Sequence, residues 1–167
     1  MKKLLLTLGT LITLGFITLM IVSFVQTRNE PVPTAQAVKT IEKPTVAGLL
    51  KYVNEERARV GVAPLVLDPL LNQSAQMKSD DMYNNNYFGH TNTDGRQGYW
   101  YVHDVGKQCI FNSENIIWGK PSFSVQEAVS GWIESPRHYE ALIDPRYEST
   151  GFGIADTKIT EHFCDER

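Results

Sequence analysis

The chain has 167 residues, 42% hydrophobic and 21% charged, the proportions of one ordinary globular domain with a short additional segment. Its formal net charge is −3, and no Lys/Arg cluster stands out beyond Lys2-Lys3. That balance excludes broad electrostatic binding to nucleic acid.

After Lys2 and Lys3 an uncharged run extends from Leu4 to Val25, and the next charge is Arg28. At about 1.5 Å per helical residue this run spans roughly 33 Å, enough for a bilayer core. A cleavable signal peptide has a shorter apolar region with a small-x-small site close behind. Here the tidy candidate, Ala35-Gln36-Ala37, lies well downstream. Residues 1–25 are therefore read as a transmembrane signal-anchor. Lys2 and Lys3 stay cytoplasmic, which makes the chain single-pass in the cell membrane with its domain outside. The alternative is secretion after cleavage. Residues 26–44, with Pro31, Pro33 and Pro44, read as a linker, and residues 45–167 as the domain.

Thr45 is a candidate N-cap; Leu49, Val53 and Val60 then fall near one helical face, and Gly61 fits the stop. Val62 to Leu67 is a short apolar connector. Asp68-Pro69 predicts the start of a second helix, an N-cap followed by proline at the first helical position. Leu71, Ala75, Lys78 or Ser79, and Met82 continue it at helical spacing, and Asn84-Asn85-Asn86 ends it. A short helix is expected over Gly98 to His103, and Cys109-Ile110-Phe111 and Ile116-Ile117-Trp118 are candidate strands. Gly119 to Ser122 reads as a turn. Val125, Ala128, Val129, Trp132 and Ile133 recur at i, i+3, i+4, i+7 and i+8, an amphipathic helix that Ser135-Pro136 ends. Gly151 to Ala155 and Ile159 to Cys164 form a candidate strand pair. Interleaved helices and short strands give an α+β or α/β class.

Three titratable, metal-capable side chains sit among apolar or turn residues. His90 lies in Tyr87-Phe88-Gly89-His90-Thr91, Glu114 in Ser113-Glu114-Asn115-Ile116, and His138 in Ser135-Pro136-Arg137-His138. Imidazole suits zinc and carries protons near neutrality. A carboxylate in an apolar setting needs a cation, an imidazole or a metal beside it. Cys109 and Cys164 are an even pair in the exported part, where a disulfide persists.

The motifs converge on one family. Val53-Asn54-x-x-Arg57 with Gly61-x-x-Pro64-Leu65 resembles the opening of the CAP (SCP) domain of cysteine-rich secretory, antigen 5 and pathogenesis-related proteins. Phe88-x-His90 is similar to the bacterial branch's F-S-H-T segment, and Glu114-Asn115-Ile116 to its G-E-N-I. Trp132 with Ser135-Pro136-x-His138-x-x-x-Leu142 resembles W-x-x-S-P-x-H-x-x-x-L, and Gly151-x-Gly153-Ile154 the strand after it. The resemblance implies an α+β fold, an α-β-α sandwich with a small, mainly antiparallel sheet between helical layers. It also implies a His/Glu cleft, with zinc or another divalent cation as candidate cofactor and His90 and His138 as candidate ligands.

Glu134 is a further cleft candidate, because eukaryotic relatives place a second acid just after the equivalent tryptophan. It falls opposite the apolar stripe of its helix, however. His103 has no matching motif and is expected at the surface. His162 lies near the second histidine of eukaryotic relatives, but Glu161-His162-Phe163-Cys164 matches their H-Y-T-Q strand poorly, and His162 is left out of the expected site. The expected function is binding: a small apolar ligand, a cell-wall component or a protein partner at the His90/Glu114/His138 cleft. A metal-dependent hydrolase of peptide or ester bonds, with Glu114 as general base, is one alternative. A purely structural surface module is the other.

Overall fold

The computed structural model describes residues 41–165. The expected membrane helix (residues 1–25) and the linker as far as residue 40 lie outside the described residues.

Helix α1 (Val46–Arg59) starts where Thr45 accepts the Gly48 N–H, as its N-cap role requires. Arg57 on this helix is fully buried and spends its guanidinium on carbonyls, reaching Ala63 at 2.7 Å, Leu142 at 2.8 Å, and Asp144 and Tyr147 at 3.1 Å. Asn54 holds Leu65 at both its N–H and its carbonyl. That clamp presents strand β1 (Val66–Leu67), within what the sequence reads as a connector, to strand β3 (Ser149–Ala155) in parallel. Two residues are too few to carry a periodicity, so the strand leaves no sequence signature.

Helix α2 (Pro69–Asn84) begins as expected, with Asp68 accepting the Leu70 and Leu71 N–H groups. Helix α3 (Trp100–Asp104) is one short turn region. Strand β2 (Asn112–Trp118) takes in Ser113-Glu114-Asn115 and leaves out Cys109-Ile110-Phe111, correcting the expected strand there. Its polar residues are accommodated because their partners are internal, as shown below. Helix α4 (Val125–Ile133) has a capping box between Ser124 and Glu127. Ser135-Pro136 does more than end α4. Proline at the first helical position opens helix α5 (Pro136–Leu142), which the sequence reading misses.

Strand β3 pairs antiparallel with β4 (Lys158–Cys164), which pairs antiparallel with β2. Among the described residues the order β1-β3-β4-β2 gives a mixed sheet of four strands with five helices, the expected α+β class. One face carries Phe152, Ile159 and Phe163 against Leu49, Val53, Val125, Val129, Trp132 and Leu142. Each such fully buried side chain contributes roughly 1.5–3 kcal/mol. The other face lies against α2 so closely that a Cβ at Gly151 or Gly153 would run into the α2 backbone. Ser79 and Lys158 complete that contact, bonding Gly153 O at 2.9 Å and Met82 O at 2.7 Å. Cys109 and Cys164 form the expected disulfide, with Cα atoms 5.5 Å apart.

One core residue is out of character. Glu161 is fully buried, and burial pushes its carboxyl from 4.5 up to about 8. Thr150 Oγ1 donates to its Oε1 at 3.2 Å, but its Oε2 has no hydrogen-bond partner among the described residues, so burial outweighs the bonds that favour the charged form. Between the two pKa values the folded chain then binds more protons at this group than the unfolded chain, so this contribution to stability falls as pH rises from 4.5 to about 8. Glu161→Gln should match the wild type at pH 5 and exceed it at pH 8 by on the order of a few kcal/mol. Guanidinium unfolding at the two pH values checks this. An equal gap at both would contradict a buried neutral acid.

Candidate functional site

The register of β2 on β4 sets Glu114 opposite His162, with both side chains on the α2 face. His162 Nε2 lies 3.0 Å from Glu114 Oε2, and His162 Nδ1 lies 2.8 Å from Ser74 Oγ on α2. His162 is fully buried and Glu114 nearly so. The second carboxylate oxygen, Oε1, lies 2.7 Å from His90 Nδ1. A single carboxylate thus joins a core imidazole to one at the surface.

His90 comes from the loop after α2, and that loop is fixed from beneath. Lys78, buried on α2, donates to Asn92 Oδ1 at 2.7 Å, Tyr87 Oη at 3.1 Å and the His90 carbonyl at 3.5 Å. Gly98 N–H donates to the same carbonyl at 2.6 Å. Gly98 must be glycine, because a Cβ there would overlap the Glu114 carboxylate.

The electrostatics follow from burial. Burial alone would raise the Glu114 carboxyl. The hydrogen bonds from His162 and His90, with the charge of Lys78, outweigh it and hold the group below its usual range. Burial lowers the Lys78 ammonium, and Glu114 opposes that shift. A carboxylate only accepts hydrogen bonds, so the His90 proton sits on Nδ1. In the neutral ring Nε2 keeps its lone pair, and it has no hydrogen-bond partner among the described residues.

His138 comes from the first turn of α5, on the far side of the sheet edge. Asn115 Nδ2 holds its backbone carbonyl at 3.1 Å, and its ring centroid lies 6.0 Å from that of His90. Burial, then the nearby His90, lower its pKa below 6.5. Between the two imidazoles opens a cleft of about 590 Å³, also lined by Ser113, Glu114, Ser135, Pro136 and Arg137.

His90, Glu114 and His138 therefore all line this one cleft. Glu134 is exposed at the C-cap of α4 and does not line the cleft. His103 is exposed, as expected. His162, left out by the sequence reading, is the second partner of Glu114. Its signal lay in strand register, visible only once β2 and β4 are aligned. Zinc needs donors converging at about 2.0–2.3 Å. Among the described residues, no three His, Cys, Asp or Glu groups of the cleft bring ligand atoms within 4.8 Å of one another. The group that does, Cys109, Cys164 and Asp165, has its two sulfurs bonded together. As they stand, the cleft residues do not form a three-donor cage. Each Glu114 oxygen already accepts one imidazole, Oε1 from His90 and Oε2 from His162.

Residues 50–164 match the model of the cysteine-rich secretory protein family, CAP. The chain is 28% identical over 129 residues to the Bacillus subtilis uncharacterised protein YkwD, covering 77% of this chain and 48% of that one. It is 26% identical to the B. subtilis uncharacterised membrane protein YlbC, covering 75% and 36%. It spans less than half the length of these curated relatives. Among solved structures, it is similar to an extracellular SCP-domain protein of Bacillus anthracis, with TM-score 0.69 and 25% identity over 83% of this chain and 45% of that one. An outer surface protein of Borrelia burgdorferi shares the fold, with TM-score 0.64 and 21% identity over 71% and 90%.

Two outcomes follow from the geometry. Gly98→Ala should expel the Glu114 carboxylate from its bonds to the imidazoles, costing about 1–3 kcal/mol. The His90 ring resonances should shift with it; unchanged resonances would mean that the loop simply gives way. In an NMR titration His138 should change protonation below pH 6.5, and His90→Ala should move that midpoint upward.

Proposed function

The chain belongs to the cysteine-rich secretory protein (CAP) family, and on that footing we propose that it is a binding module outside the cell, held there by its N-terminal segment. One observation carries the reading. Glu114 commits both oxygens to imidazoles, leaving His90 Nε2 without a partner among the described residues, beside His138 in an open cleft. Beside Glu114 the lining offers two imidazoles, the Ser135 hydroxyl and a guanidinium, which favours a polar ligand over an apolar one. Such groups read a carboxylate, a hydroxyl or an amide by hydrogen bonds rather than by area. The extracellular SCP-domain protein of B. anthracis supports the proposed location.

The same unpaired Nε2 supports a second reading. An imidazole oriented by a buried carboxylate has the form of a general base. His90 would then take a proton from a water or hydroxyl in the cleft, with Glu114 steadying the imidazolium. Among the described residues no hydroxyl or thiol is hydrogen-bonded to Nε2, so the binding reading comes first.

An NMR screen of small carboxylate, alcohol and amide fragments tests both. Hits should shift the His90 and His138 rings together, and His90→Ala or His138→Ala should weaken them roughly tenfold, the effect of losing one charge-assisted hydrogen bond. Hits that avoid the cleft would sink the binding reading. Equal hydrolysis of p-nitrophenyl acetate by wild type and His90→Ala would sink the general-base reading.

A further inference from the structure

The two free edges of the sheet are treated differently. Beyond two-residue β1, the outward groups of β3 are closed by α2: Asn72 Oδ1 accepts from Phe152 N–H at 2.8 Å, and Gln76 pairs with both N–H and C=O of Ile154 at 3.0 Å. The outer edge of β2 has no such closure among the described residues.

The register shows which β2 groups lie on that edge. Asp165 N–H bonds Phe111 O at 3.3 Å, and Gly119 N–H bonds Thr157 O at 2.9 Å, at the two ends of the β2–β4 ladder. Hydrogen-bonded pairs alternate along an antiparallel ladder. The odd-numbered residues Ser113, Asn115 and Ile117 therefore bond to β4. The N–H and C=O groups of Asn112, Glu114, Ile116 and Trp118 face away from it. Among the described residues none of these groups has a hydrogen-bond partner within the protein. Ser113 and Glu114 line the cleft, so the first part of this edge forms its floor, with His90 on one wall and His138 on the other.

We propose that the cleft takes an extended peptide bearing a carboxylate, which pairs with the edge of β2 at Asn112 and Glu114. The inference rests on the binding reading and names its ligand class. Donors and acceptors repeat along this edge about every 6.8 Å, a spacing that an extended backbone matches. The charge calls for a carboxylate. Glu114 is already compensated by His90, His162 and Lys78, while Arg137 on the lining has no acidic partner among the described residues. Side chains on alternate sides of the added strand would face His90 and His138.

Amide hydrogen exchange on the full chain tests the pairing, with acetylated Val-Thr-Val-Asp as the probe. At about ten times its Kd the peptide should slow exchange at Asn112 and Glu114 roughly tenfold, since about one molecule in ten remains free. Ser113 and Asn115, already bonded to β4, should change little. The fully N-methylated peptide should protect neither site. Asn112→Pro removes one outward N–H at an edge position that tolerates proline and should weaken binding roughly three- to tenfold, with circular dichroism to confirm folding. Ring shifts at His90 and His138 without slowing at Asn112 and Glu114 would overturn strand pairing and leave the binding reading standing. No change in the cleft up to the solubility of the peptide would overturn the peptide as ligand, and the fragment screen then decides the binding reading alone. Protection at these amides that grows with protein concentration alone would assign the edge to a second copy and overturn the proposal.

Discussion

A buried carboxylate must be satisfied at both oxygens, and Glu114 draws that satisfaction from three parts of the chain. His162 reaches it from the neighbouring strand, His90 from the loop after α2, and Lys78 supplies compensating charge from α2 itself. Ser74 then holds the far side of His162. Much of the local architecture follows from this one charge: the close approach of α2 to the sheet, the glycine at position 98, and the tethered loop. Removing His162 would strip the carboxylate of its buried partner, whereas His90 meets it from the cleft side, half in solvent.

Each wall of the cleft is held by its own buried cation. Lys78 anchors the wall that carries His90. Arg57, from the opposite helical layer, caps the carbonyls at the end of α5 and so fixes the helix that carries Arg137 and His138. Both cations bond to neutral oxygens rather than to carboxylates in direct contact. Carbonyls have fixed positions in the backbone, so these bonds locate a segment as well as stabilise it. The space between the walls is thereby set by two separate layers, and Asn115 on the sheet edge ties the second of them to β2.

Much of this was legible in the residues. Asp68-Pro69, the stripe from Val125 to Ile133 and the cysteine pair stand in the structure as read, and His90, Glu114 and His138 line one cleft. What escaped has a common cause. β1 has two residues and no periodicity to show. α5 begins at a proline that serves equally well as a stop signal. His162 sits in a fully buried strand, where alternation vanishes, and its meaning comes from a partner 48 residues away. Polar Ser113-Glu114-Asn115 did not read as strand because local pattern cannot reveal that a buried charge has its counter-groups elsewhere. Local chemistry announces a helix end or a turn; it does not announce register.

The disulfide has a bearing on when the site can exist. Cys164 lies two residues beyond His162, and Cys109 leads into the strand that carries Glu114. Closing a loop with a separation of 55 residues is worth roughly 4 kcal/mol in the chain-entropy model, and that gain falls on the two strands that bring carboxylate and buried imidazole together. A chain still in a reducing compartment lacks that gain while carrying the same charge to bury. The bridge therefore places its stabilisation on the strand pairing that the cleft depends on, rather than on the cleft walls themselves.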